Sequence, residues 1–197
     1  IYMTDGEMEI DGDFVTESTK KYIWSTISDS SNVFDGGKIR LKGNLKQLKT
    51  VDTANAAVKD NLYISGAKVE FCGTEKQEIY FENPEDSYIK RPVFTNSNVE
   101  FPNGLHGWKL EQDEEIPGVR LIGDLNLNGH ALTVKGNLIQ ESGQMYLNVD
   151  SKLKVEGDYR IQKETDGEGE EKTYTESTGC IYMTDGEMEI DGDFVTE

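Results

Sequence analysis

Residues 1–17 recur without a change as residues 181–197. Identity over 17 positions at a period of 180 is far beyond chance. It makes residues 1–180 one complete repeat unit and 181–197 the start of the next, with no further domain boundary evident between them. The repeated segment, IYMTDGEMEIDGDFVTE, carries six acids (Asp5, Glu7, Glu9, Asp11, Asp13 and Glu17) and no base. The whole chain has a net charge of −18, and without one copy of the segment the 180-residue unit stands at −12. Tandem copies of such a unit form a long polyanion.

A degenerate period lies inside the unit: apolar-x-apolar-x-Gly-[Asp/Asn]-apolar. It occurs as MEIDGDF (8–14), IRLKGNL (39–45), VRLIGDL (119–125), LTVKGNL (132–138), LKVEGDY (153–159) and MEIDGDF again (188–194). LYISGAK (62–68) and VEFCGTE (69–75) are incomplete versions. Alternation of apolar and polar residues marks a half-buried strand. The glycines Gly12, Gly43, Gly123, Gly136, Gly157 and Gly192 then mark corners, because glycine tolerates the positive φ of a sharp turn. Two architectures fit a strand-corner-strand unit. In a β-solenoid the corners bend the chain around a coil, and successive coils stack in parallel at about 4.8 Å. In an antiparallel meander the same corners are hairpin tips. Short strands, recurrent corners and a tandem array favour the first, so the expected fold is all-β: a β-solenoid (β-helix) repeat with Gly-Asp/Asn corners and polar loop excursions.

The excursions are residues 18–35 and 46–60, the second with a turn or two of helix expected around Ala54, Ala56, Ala57 and Val58. Residues 163–179 read as an acidic, exposed loop. Residues 82–118 hold all four prolines (Pro84, Pro92, Pro102, Pro117) and Trp108, and are expected to be irregular, a bulge or cap.

Composition narrows the function. Leu, Ile, Val and Phe make up 46 of 197 residues, just above the ~20% below which a charged chain fails to fold. The core is therefore thin. The acidic balance repels phosphate backbones and anionic lipid surfaces, which argues against nucleic-acid partners. No run approaches the ~18 apolar residues of a membrane span, so no membrane insertion is expected in this segment. Only two histidines are present, His106 and His130, and no HExxH, CxxC, GxSxG, P-loop or GxGxxG pattern accompanies them, so the chain is not expected to be an enzyme and no catalytic or cofactor-binding residue is assigned. Asp5, Asp11 and Asp13 are calcium candidates, since hard cations want six to eight oxygens. The chain lacks a full EF-hand loop and the calcium nonapeptide, so diffuse counterion screening is the simpler expectation. Cys72 lies in a strand-like stretch and Cys180 follows the acidic loop. At several coils' separation the two are not expected to reach the ~7 Å that a disulfide needs unless the excursions fold back along the coil.

The stretches 123–162, 3–19 and 73–101 resemble the repeats of very large bacterial cell-surface proteins of the kind found in gut Firmicutes. That resemblance implies a secreted, β-helical scaffold, stalk, adhesin or filament at the cell surface, and brings no catalytic residue with it. The leading expectation is a structural repeat of a long, acidic extracellular filament or stalk, with copies of itself as partners in tandem or end to end. An adhesin or glycan-binding module is the first rival, with Trp108 in its recognition surface and host or bacterial glycans as partners. A polysaccharide-active β-helix enzyme is the second.

Overall fold

The computed structural model describes residues 2–17, 24–25, 33–48, 62–82, 87–166 and 172–196. The chain is all-β, and no helix occurs among the described residues. It divides into two compact units, Ile1–Trp108 and Lys109–Glu197.

In the first unit the apolar-x-apolar half of each motif lies beside the same half of the next. Glu7–Ile10, Lys38–Leu41, Lys68–Phe71 and Pro92–Phe94 form one four-stranded parallel sheet in that order. The residues after the corner form a second: Phe14–Glu17, Leu45–Leu48, Gln77–Phe81 and Val99–Glu100. Trp24–Ser25, Leu62–Ile64 and Tyr88–Ile89 make a third, and Tyr2–Met3 pairs with Val33–Phe34. Period-two alternation explains the core, because the register keeps like positions together: Ile39 pairs with Val69 and Leu41 with Phe71, and all four are buried. Phe71 stacks on Phe94 at 5.4 Å, and Phe94 meets Trp108 edge-on at 5.3 Å.

In the second unit Glu114–Ile116, Ala131–Val134, Lys152–Val155 and Glu187–Ile190 form a parallel sheet. The long strand Val119–Asn126 bends near Leu121 and Ile122, so its first half pairs with Leu138–Ser142 and its second with Gln144–Leu147. Gly123, at φ 102°, sits within that bend. Leu138–Ser142 continues to Tyr159–Asp166 and then Phe194–Thr196, and Gln144–Leu147 continues to Cys180–Met183.

The strands on either side of Gly12, Gly43, Gly136, Gly157 and Gly192 therefore belong to different sheets and do not pair with each other, which removes the hairpin-tip reading, whereas Gly123, expected as a corner, lies inside the single strand Val119–Asn126. Within each unit the described pairs are parallel with one exception. That exception corrects the loop expected over 163–179: Tyr159–Asp166 and Lys172–Glu176 pair antiparallel, with Gln162 opposite Glu176 and Asp166 opposite Lys172. Thr165, Thr173, Tyr174 and Thr175 supply the β-branched and aromatic residues that such a ribbon favours, and the Arg160 guanidinium lies 5.3 Å from the centre of the Tyr174 ring.

Residues 82–118 also differ from expectation. They hold the strands Tyr88–Ile89, Pro92–Phe94, Val99–Glu100, Leu105–Lys109 and Glu114–Ile116. Pro92 is accommodated because it opens the edge strand of its sheet, where a residue without an N–H breaks no pairing. The helical turn expected around Ala54–Val58 lies outside the described residues.

Candidate functional site: the two edges of the repeated segment

The corner glycines are needed for a reason other than the one their sequence suggests. Gly12, Gly43, Gly136, Gly157 and Gly192 have no positive φ; among the six motif glycines only Gly123 does. At Gly43, Gly157 and Gly192 what forbids a side chain is the neighbouring strand's corner, whereas a Cβ on Gly12 meets nothing within 4 Å. A Cβ on Gly43 would lie 2.4 Å from the Gly12 carbonyl, one on Gly157 would lie 2.8 Å from the Gly136 carbonyl carbon, and one on Gly192 would lie 2.7 Å from that of Gly157. Corners sit on corners, backbone against backbone.

The Asp or Asn after each glycine ties adjacent corners together. Asn44 N–H donates to the Asp13 carboxylate at 2.7 Å, and Glu78 N–H donates to the Asn44 side-chain oxygen at 2.8 Å. In the second unit Asp158 N–H donates to Asn137 Oδ1 at 2.9 Å, and Asp193 N–H donates to Asp158 Oδ1 at 3.0 Å. The Asp193 N–H and then Arg160 hold the Asp158 carboxyl below its ordinary value.

Between corners the strands alternate in charge. Glu7, Glu9 and Asp11 lie against Arg40 and Lys42: Arg40 reaches Glu9 at 2.7 Å, and Lys42 reaches Glu9 at 2.9 Å and Asp11 at 2.7 Å. The Lys42 hydrogen bond and charge lower the Asp11 pKa, and those of Asp11 and Glu9 raise that of Lys42. On the next strand Glu70 is nearly enclosed and receives Lys38 and Arg40. Burial pushes its carboxyl up, but the hydrogen bonds from Lys38 and Arg40 outweigh it and leave the pKa lowered. At the other copy the acids meet a different basic strand. Lys152 pairs with Glu187 at 3.0 Å, and Lys154 pairs with Glu189 at 2.8 Å and Asp191 at 3.5 Å.

Large exposed apolar side chains concentrate in the two copies of the segment. Tyr2, Val15, Tyr182, Met183 and Phe194 all belong to it. Equivalent residues differ in a patterned way: Met3 is 8% exposed and its copy Met183 is 54% exposed. Tyr182 stacks on Tyr146 at 5.5 Å and 16°, and Phe194 lies 5.3 Å from Tyr159.

The three calcium candidates are engaged separately. Asp5 accepts from the Gly6 N–H, Asp11 pairs with Lys42, and Asp13 accepts from Asn44. Among the described residues no group of three His, Cys, Asp or Glu side chains is placed to hold a metal ion. His130 Nδ1 lies 3.6 Å from Asp113. Cys72 and Cys180 are unpaired thiols. Trp108, on which a glycan platform would depend, is 3% exposed and packs into the core. The basic partners Lys38, Arg40, Lys42, Lys152 and Lys154 were not singled out from the sequence. Writing the motif copies one beneath another exposes Arg40, Lys42 and Lys154, because Glu9 and Asp11 of the first copy give way to Arg40 and Lys42 in the second, and Lys154 gives way to Glu189 at the end of the chain. Compared with protein-family models, curated proteins and solved structures, the chain matches none of them.

Proposed function

We propose that this chain is a structural repeat: each unit is a stack of β-solenoid coils, and tandem repeats build a long, acidic extracellular filament or cell-surface stalk. The observation that carries the reading is the parallel, in-register pairing of successive motif copies, corner over corner, in both units. Strands that pair this way extend a sheet by adding copies, so length follows repeat number and pairing edges remain only at the ends. The apolar alternation fixes the register, because a slip by one residue moves every apolar side chain to the wrong face, and the ion pairs between acidic and basic strands add to it. Excess acid along the sides keeps neighbouring filaments apart. Placement outside the cell rests on the resemblance to large surface-protein repeats.

The test is cryo-electron microscopy and fibre diffraction of material carrying several copies of the unit. The reading expects elongated particles with a reflection near 4.8 Å along the long axis. Compact particles without that reflection would contradict it.

A further inference from the structure

The repeated segment has two edges, and the structure fills each of them once, in different copies. In the first copy the filled edge meets Lys38–Leu41 and Leu45–Leu48. In the second copy it is the opposite edge, which meets Gln144–Leu147, Lys152–Val155 and the start of Tyr159–Asp166. Backbone groups divide accordingly. The carbonyls of Met3, Gly6 and Ile10 accept from the neighbour of the first copy, and the amides of Thr184, Glu187 and Asp191 donate to the neighbour of the second. These sets do not overlap, so one segment has the atoms to serve both neighbours at once.

The side chains agree. A Cβ on Gly192 would strike the Gly157 backbone, whereas one on its copy Gly12 meets nothing within 4 Å. Tyr182 stacks on Tyr146, whereas its copy Tyr2 is 75% exposed. Glu189 pairs with Lys154, and among the described residues its copy Glu9 is met from the other side, by Arg40 and Lys42.

We propose that the open edge of residues 2–17 is a docking site for a second copy of this chain, which seats its 144–161 strands there in the register that 181–196 takes within one chain. The proposal rests on the structural-repeat reading and names its junction. Charge selects the occupant: Lys152 and Lys154 of the second copy face Glu7, Glu9 and Asp11. Apposing the outer edges of two identical segments would set Glu7 opposite Glu187 and Glu9 opposite Glu189, like charges directly across a strand pair. The second copy's own 181–197 therefore gives up its place. One segment then pairs on both edges, no strand pair is lost, and the displaced segment recovers its chain freedom.

The experiment uses two full-length chains in a Cys72→Ser, Cys180→Ser background, one with Glu9→Cys and the other with Lys154→Cys, mixed under oxidising conditions. A single chain with both Lys154→Cys and Glu189→Cys calibrates closure of this register. The expected result is a disulfide-linked heterodimer in excess of either homodimer. Adding Gly12→Ala to the Glu9→Cys chain should abolish it without lowering that chain's thermal midpoint, since the added methyl blocks only the docked strand. Failure of the heterodimer while the calibrating chain closes, or its survival in the presence of Gly12→Ala, would overturn the proposal. Carbodiimide coupling of mixed ¹⁴N and ¹⁵N chains without substitutions gives a second reading. Peptides joining Lys154 to the acidic segment of a differently labelled chain are expected, and their absence overturns the junction. Filaments with the 4.8 Å repeat but without this link would reject the junction and leave the structural-repeat reading standing.

Discussion

Single residues carry two kinds of constraint here, close approach and enclosed charge. Gly43, Gly157 and Gly192 are held by the first. Gly43→Ala pushes a methyl into the Gly12 carbonyl, and relieving that overlap costs about 1–3 kcal/mol, as overpacking does elsewhere. Gly12→Ala is expected to be neutral or to stabilise by about 0.4–1 kcal/mol, because its Cβ meets open space and the unfolded chain loses freedom. Urea denaturation of the two variants should separate them in sign. Glu70 illustrates the second constraint. Nearly enclosed and hydrogen-bonded to Arg40 and Thr95, it is expected to cost about 1–3 kcal/mol when replaced in Glu70→Gln, which keeps the shape and removes the charge that Lys38 and Arg40 face. Equal urea midpoints for Glu70→Gln and the parent chain would show that the enclosed ion pairs contribute nothing net.

Among the elements, short strands were legible in the sequence because period two is written directly into MEIDGDF and its relatives. Their partners followed only from the solenoid expectation, in which successive motif copies stack in parallel. Alternation fixes which face of a strand is buried and says nothing about which strand lies beside it, so the parallel pairing of Glu7–Ile10 with Lys38–Leu41 rests on tertiary structure. The corner glycines were found for a reason that proved secondary: the close approach of Gly43 to Gly12 depends on a strand 31 positions away along the chain. The ribbon of Tyr159–Asp166 and Lys172–Glu176 was hidden by acids and glycines that read as loop. Ion pairing between strands predicts a pH response. Asp11, Asp158 and Glu70 have folded pKa values below their ordinary 3.8 and 4.5. A lowered carboxylate contributes stability that is present above the unfolded value and lost as pH falls through the folded one. The thermal midpoint should therefore fall steeply as pH drops below about 4, and a midpoint that held or rose through that range would contradict these pairings.

For the whole molecule, the repeat of 17 residues decides more than any site does. Its two copies are identical in sequence, so their backbone amides exchange with solvent at the same intrinsic rate, and any difference reports structure alone. In the second copy the Thr184, Glu187 and Asp191 amides are bonded to Leu147, Ser151 and Val155, while the matching amides of the first copy lie on the outer edge of Glu7–Ile10 and its flanks. Residue-resolved hydrogen exchange on the dilute 197-residue chain, and again on assembled material, is the most direct test of parallel stacking through two edges. The account predicts slow exchange at Glu187 and Asp191 and fast exchange at Glu7 and Asp11 in the dilute chain, with Glu7 and Asp11 becoming slow on assembly. Equal exchange of the two copies in the dilute chain, or no change at Glu7 and Asp11 when filaments form, would contradict it.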